Sequence, residues 1–314
     1  MSEQPAPKNL DPVLDEDAAL ALVRRHVPAA KHLVAVDESG RKGRAYFVDD
    51  DVVLKTHRPV RLRARLVEEF ETSLEKEAFF LRHMAADDRL KAPKLLGYGR
   101  GHGVEYVCMT RIQGVSLRRA NLTAQQRAAV LQELGLMLRR MHAFPQGPFV
   151  ASHLFPSDGS SQELRRRLES LVAHMTSAIH ELPSEWRIRL PPEQVASEVL
   201  NALPDQPVRA ALHSNPAGEH VFVHPETGTF AGLIDFGDAY ISHPALDLRP
   251  WRDPVDRSAL IEGYSIEGNV DASFLTMWRI GLLLGVLAEV LRRREPPKRS
   301  EETLRQLLTE LRQG

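Results

Sequence analysis

The sequence predicts an α+β protein in two parts, a small antiparallel sheet followed by a larger, mostly helical region. Short apolar runs separated by turn residues fill the chain as far as Met109, and beyond Thr123 the apolar side chains recur at helical spacing. Within that helical part, Val221 to Val223 and Phe230 to Ile234 flank His224, Pro225, Glu226, Thr227 and Gly228, which is a hairpin. A length of 314 residues suffices for one large domain or two lobes. With 41 basic and 42 acidic side chains, nothing global points to nucleic acid or an anionic membrane, and a small-molecule partner is compatible.

Met1 to Asp17 is polar and is expected to be a loose tail. Ala18 to His26 reads as a helix, and Leu33 to Val36 and Ala45 to Val48 as strands flanking Ser39-Gly40-Arg41-Lys42-Gly43-Arg44, a turn whose backbone N–H groups could lie over phosphates. Val52 to Thr56 is the next strand, with Lys55 on the face of Val53. Leu74, Ala78, Leu81 and Ala85 form the apolar stripe of a helix that also carries Glu77. A core-facing carboxylate is costly unless paired, and Lys55 is the obvious partner. Arg58 to Arg65 holds several arginines and is assigned no role.

Pro93 to Tyr98 and Glu105 to Met109 read as closing strands, the second containing the single cysteine, Cys108, expected to be a buried thiol in a reducing, cytoplasmic setting. Thr123 with Gln126 makes a capping box before the stripe Val130, Leu134, Leu138, Met141. Phe144 to Ser161 is expected to be a loop or lid, Leu164 to Leu182 a helix, and Pro191-Pro192 the start of another reaching Leu203. Helices return at Ala272 to Arg293 and Glu301 to Arg312. Ile280 to Ala288 is apolar, but Arg279 and Glu289 bound it, so a buried helix is expected there rather than a span.

The residues around the hairpin carry the chemistry. Leu212-His213-Ser214-Asn215, four further residues and His220 precede it, and Ile234-Asp235-Phe236-Gly237-Asp238 and His243-Pro244-Ala245-Leu246-Asp247-Leu248 follow. This pattern resembles the catalytic core of the aminoglycoside phosphotransferase and choline kinase family, small-molecule relatives of the protein kinases. There the loop reads H-G-D, four residues, Asn, and the later segment I-D-F-G or I-D-W with a D-P-A-x-D-L-like run. The resemblance covers about Leu33 to Arg249. It implies a two-lobed protein-kinase-like fold, with residues 1–17 a flexible tail, 18–110 a small nucleotide-binding lobe, and 111–314 a large helical lobe holding the catalytic loop and acceptor site.

It further implies ATP or GTP as phosphate donor, Mg2+ or Mn2+ as cofactor, and a small-molecule hydroxyl as acceptor. Lys55, held by Glu77, would grip nucleotide phosphates, the backbone of Thr110 and Ile112 would meet the purine edge, and Asp235 with His220 would hold the metal. His213 would brace the loop and Asp247 would accept its hydrogen bonds. Two identities depart from the pattern: Asn215 stands where the family has its catalytic aspartate, and His220 where it has its metal-binding asparagine. An amide orients a hydroxyl but takes no proton at neutral pH. A natural pseudoenzyme, a kinase using Glu219 or Asp238 as base, and an engineered trap each fit Asn215. A nucleotide-binding module without turnover is therefore the alternative. A metal hydrolase built from His213, His220, His224 and Asp235 belongs to another class, and lacks a His pair at helical spacing.

Overall fold

The structure is a computed structural model that describes residues 12–40, 42–58, 73–204, 208–292 and 296–313. Its N-terminal part is a single antiparallel sheet with one helix on each side. After α1 (Glu16–Arg24) come β1 (Leu33–Asp37), β2 (Gly43–Val48), β3 (Val52–His57), α2 (Leu74–Met84), β4 (Leu95–Gly101) and β5 (Val104–Thr110), and the strands pair in the order β1-β2-β3-β5-β4. Along β3 buried and half-buried residues alternate, so Val52 and Leu54 face one side while Val53 and Lys55 face the other. Lys55 sits opposite Ala45 on β2 and Val107 on β5, in the middle of the sheet.

Of the expected tail, residues 1–11 lie outside the described residues, and residues 12–17 are anchored rather than loose. Leu14 is buried and its N–H donates to the Tyr46 hydroxyl at 2.9 Å, and the Asp15 side chain caps α1 by accepting from Ala18 N, which starts the helix at Glu16. It stops at Arg24, short of His26, because Val27 precedes Pro28 and is steered away from helical angles. Of the arginine-rich stretch only Arg58 is among the described residues; the rest, like Arg41 of the glycine turn, lies outside them.

The C-terminal part is helical around a small β scaffold: β6 (Val115–Ser116), α3 (Ala124–His142), α4 (Gly147–Ala151), α5 (Ser161–His180), α6 (Pro192–Asn201), β7 (Ala210–Leu212), β8 (Val221–Val223), β9 (Phe230–Leu233), β10 (Tyr240–Ser242), α7 (Pro254–Tyr264), α8 (Ala272–Leu291) and α9 (Pro297–Gln313). Thr123 and Gln126 form the reciprocal capping box of α3. The expected hairpin is β8–β9, with Gly228 at φ +69° in its turn, and β6 extends it to three strands. A second ladder pairs β7 with β10 and fixes the segments on either side of the hairpin relative to each other. Those strands are three residues each, too short for periodicity to reveal.

One expectation needs correction and another is borne out. The stretch Phe144 to Ser161 is anchored, not a free lid: it contains α4, and Phe149 and Phe155 are buried against Phe79 and Phe80 of α2. The apolar run Ile280 to Ala288 lies in the buried helix expected there, α8, although Arg279 and Glu289 are interior positions of it rather than its ends. By length and composition α8 could cross a membrane, yet most of it is buried inside the protein, against α5, α9 and the turn Pro244–Leu248.

The apolar side chains form two cores. One joins α1 to the outward faces of β2 and β3 with Val104, Tyr106 and Cys108. The other joins Leu74, Phe80 and Leu81 of α2 and Val107 and Met109 of β5 to the helices of the C-terminal part. Burial pushes the Cys108 thiol up to about 12, so it is an inert core group, as expected.

Candidate active site

The two loops that leave the β scaffold at one edge, 213–220 after β7 and 234–239 after β9, meet beneath β3 and α2. The first is braced from below. The fully buried Asp247 accepts from His213 N and Ser214 N, both at 2.7 Å, and from His142 Nε2 at 3.0 Å, while His142 Nδ1 pairs with the Tyr264 hydroxyl at 3.0 Å. Ser214 occupies the position where the resembling pattern has glycine and keeps a left-handed φ of +82°. The buried His213 ring donates from Nε2 to Ile234 O (2.8 Å) and accepts Asn215 N at Nδ1 (3.2 Å), a neutral tautomer. Burial agrees with this, lowering its pKa to about 4.

The second loop turns at Asp235, also left-handed at φ +73°, which aspartate tolerates better than most residues. Lys55 Nζ lies 2.6 Å from Asp235 Oδ1 and 2.7 Å from Glu77 Oε2, the ion pair expected from the inward place of Glu77. The other Glu77 oxygen accepts Phe236 N at 3.3 Å. Burial pushes the Glu77 carboxyl upward against the pull of Lys55. Burial would also raise Asp235, but Lys55 and His220 outweigh it and hold this carboxyl below the usual range. Burial opposes charge on Lys55 too, and the two carboxylates overcome it, keeping the ammonium well above its ordinary value. Asp235 remains 34% exposed, so its carboxylate faces the cleft as well as the lysine.

His220 completes the cluster. Its Nδ1 is 2.8 Å from Asn215 O, and since a carbonyl only accepts, Nδ1 carries the proton. Nε2 then faces Asp235 Oδ2 at 3.3 Å. With Nδ1 as the donor, two lone pairs oppose each other there, an arrangement relieved by a cation between them. Two ligands at right angles on one divalent ion, each bonded at ~2.1 Å, lie ~3 Å apart, so Asp235 and His220 fit as a pair of ligands. Among the described residues no three His, Cys, Asp or Glu side chains converge as a metal cage. The hydrolase set does not assemble: both ring nitrogens of His213 are engaged, and His224 is exposed at the far end of β8.

The remaining predicted residues separate. Asn215 is exposed on the loop, with its backbone carbonyl against the His220 ring. Glu219 points to Arg118, with which it forms an ion pair. Thr110 N donates to Lys94 O at 2.9 Å, so its amide is committed within the protein, and Ile112 follows beyond the strand, half-buried. Asp238 pairs with Lys42 of the glycine turn at 3.2 Å, joining the turn to the loop across the cleft.

Two features escaped the sequence reading. Lys42 gives no signal in a turn already rich in basic residues. Asp158 looks like turn chemistry before Gly159, yet it is buried, takes both arms of Arg167 at 2.7 Å and the Ser242 hydroxyl at 2.5 Å, and so ties the 144–161 segment to β10.

Comparison with known proteins follows the same outline. The profile of the "Phosphotransferase enzyme family" matches residues 33–251. Among solved structures, the GDP complex of wild-type aminoglycoside 2'-phosphotransferase-IIIa aligns at a TM-score of 0.59 and 14% identity, covering 95% of this chain and 99% of that one. The gentamicin complex of APH(2")-IIa gives 0.59 and 16%, over 96% and 97%, and ADP-bound APH(2'')-Ib gives 0.59 and 15%, over 94% and 97%. At these identities the likeness establishes the two-lobed fold. A search of curated protein sequences gives no significant match. Since the family profile spans most of the chain, including the glycine turn, Lys55, Glu77 and both loops, the protein belongs to the phosphotransferase enzyme family.

Proposed function

We propose that the protein is a phosphotransferase that moves the terminal phosphoryl group of ATP or GTP to a small-molecule acceptor. The observation that supports this most directly is Asp235, held between Lys55 and His220 at the edge of the cleft. Phosphoryl transfer asks a protein for in-line positioning and positive charge on the transferring group rather than covalent chemistry. In this reading Lys55 carries that charge, Glu77 fixes its direction, and Asp235 with His220 holds Mg2+ or Mn2+, which when bound neutralises phosphate charge. Solved relatives carry GDP or ADP, which favours a nucleotide in the same cleft here. His213 and Asp247 keep the loop in place, and Asn215 orients the attacking group without removing a proton. Transfer to a hydroxyl then proceeds without general-base help that is worth about 10²–10⁴-fold elsewhere.

The test is metal-dependent nucleotide binding by calorimetry, followed by an acceptor screen with labelled nucleotide. Wild type should bind nucleotide with Mg2+ or Mn2+, and Asp235→Ala should lose the metal-dependent part while staying folded. An unchanged metal titration in that variant would move the site elsewhere. Tight nucleotide binding with no transfer to any acceptor would favour the binding-module reading, for which Asn215 is the supporting observation.

A further inference from the structure

Away from the residues of the cleft, α7 and α8 leave a groove between them, closed on one side by α9. Its apolar surface comes from Ile261 of α7 and from Leu275, Trp278 and Leu282 of α8, and Arg257, Arg279 and Glu310 supply its charge. The volume is about 210 Å3. An apolar cavity of about 150 Å3 holds a benzene ring, so this one has room for a single ring and one substituent and is too small for a nucleotide. The charges do not cancel. Glu310 is engaged, accepting from Arg257 Nη1 at 2.9 Å, Arg257 Nη2 at 3.1 Å and Gln306 Nε2 at 3.0 Å. Arg279 is the one Lys or Arg of the apolar helix α8, is half-buried, and makes no hydrogen bond or ion pair among the described residues. A second donor in the wall is also unmet: Arg257 Nε is buried with no hydrogen-bond partner.

We infer that this groove is a regulatory binding site for a small aromatic carboxylate, whose ring lies on Trp278 and whose carboxylate meets Arg279. A guanidinium takes a carboxylate through paired N–H donors, and an indole face favours a flat ring. With Glu310 offset by Arg257, the spare charge of Arg279 selects an anion over a neutral ring of the same shape. The floor of the groove is tied to the cleft. Trp278 Nε1 donates to Leu248 O at 3.0 Å, and the preceding residue, Asp247, holds His213 N and Ser214 N. A ligand resting on Trp278 therefore steadies the support of the 213–220 loop.

The experiment titrates benzoate and phenylacetate, beside benzamide and benzylamine, into the full chain and follows the ligands by NMR. At least one carboxylate should bind with a Kd of about 1 mM or tighter, and about tenfold or more tighter than the neutral and cationic rings. Arg279→Gln should bring carboxylate and amide to within about threefold of each other without lowering the melting temperature, since Arg279 has no contact of this kind to lose. Ser258→Trp, at an exposed position of α7 on the groove, should fill it and abolish binding of every probe. Saturating benzoate should slow amide exchange at His213 and Ser214 about threefold or more, a readout independent of any reaction in the cleft. Equal binding of benzoate and benzamide, a carboxylate preference that survives Arg279→Gln, or no binding of any probe at about 10 mM to folded protein would each overturn the site. Benzoate binding that leaves exchange at His213 and Ser214 unchanged would overturn its regulatory role.

Discussion

Replacing Lys55 with methionine keeps the length of the side chain and removes its charge. Glu77 is 1% exposed and Lys55 only 14%, so the change leaves a buried carboxylate that keeps the Phe236 N–H as hydrogen-bond donor. Breaking a buried pair from one side costs about 3–5 kcal/mol, because the surviving charge is uncompensated. The contact with the more exposed Asp235 adds little to that figure after solvent screening. At a few degrees per kcal/mol, the melting temperature should fall by on the order of 10 °C. The sign of the pH dependence follows from Glu77. Burial raises its folded-state pKa, and without Lys55 nothing of comparable size pulls it back. A carboxyl raised on folding contributes stability that is complete below its unfolded value and is lost as pH rises through the folded one. The Lys55→Met deficit should therefore be smaller near pH 5 than near pH 8. Asp235 is held low by Lys55, and the stability this provides is present throughout that window, so its loss shifts both measurements equally. Urea unfolding of wild type and variant at the two pH values measures the difference. Lys55→Met with Glu77→Leu should recover most of the stability without recovering nucleotide binding. A deficit below about 1 kcal/mol, or one unchanged between the two pH values, would refute the account of Glu77 as a buried anion held by Lys55.

Asp247→Asn should destabilise the protein by about 2–4 kcal/mol, since an amide has one accepting oxygen and would bring its N–H₂ against a backbone donor. The loss should appear in both thermal unfolding and metal-dependent nucleotide affinity. Ser214→Gly should leave the melting temperature unchanged or raise it, because relief of the left-handed backbone, about 1–2 kcal/mol, outweighs the added chain entropy of glycine, about 0.5–1 kcal/mol. A clear fall would show that the serine hydroxyl carries a contact of its own.

The sequence revealed the parts of this site that announce themselves as contradictions. Glu77 on an apolar stripe and Lys55 on a neighbouring strand predicted each other, and they meet at 2.7 Å. The hairpin and its two loops were visible from turn residues between apolar runs. Partners chosen only by tertiary packing were not. Lys42 is one of several cations in its turn until it pairs with Asp238, and Asp158 looks like a loop residue until Arg167 and Ser242 close around it. Phe149 and Phe155 lie in a segment rich in Pro, Gly and Ser, a composition that hides two aromatic anchors with no helical period to betray them. The backbone placements at Thr110 and Ile112 rested on register alone, and a carbonyl of Lys94 claims the first of their amides.

The division of the apolar interior sets where this molecule can bend. Helix α2 packs with the C-terminal helices, while the outward faces of β2 and β3 pack with α1. The boundary between the two oily masses therefore passes through the sheet rather than through the chain crossing at Thr110. Lys55 projects from the Val53 face of β3 into the second of these interiors, where it meets Glu77 and Asp235. A separation of β3 from α2 and the 234–239 loop has to stretch both contacts at once, and their shared ammonium acts as the rivet of the joint. Parting those elements therefore means breaking two contacts to a single, permanently charged lysine.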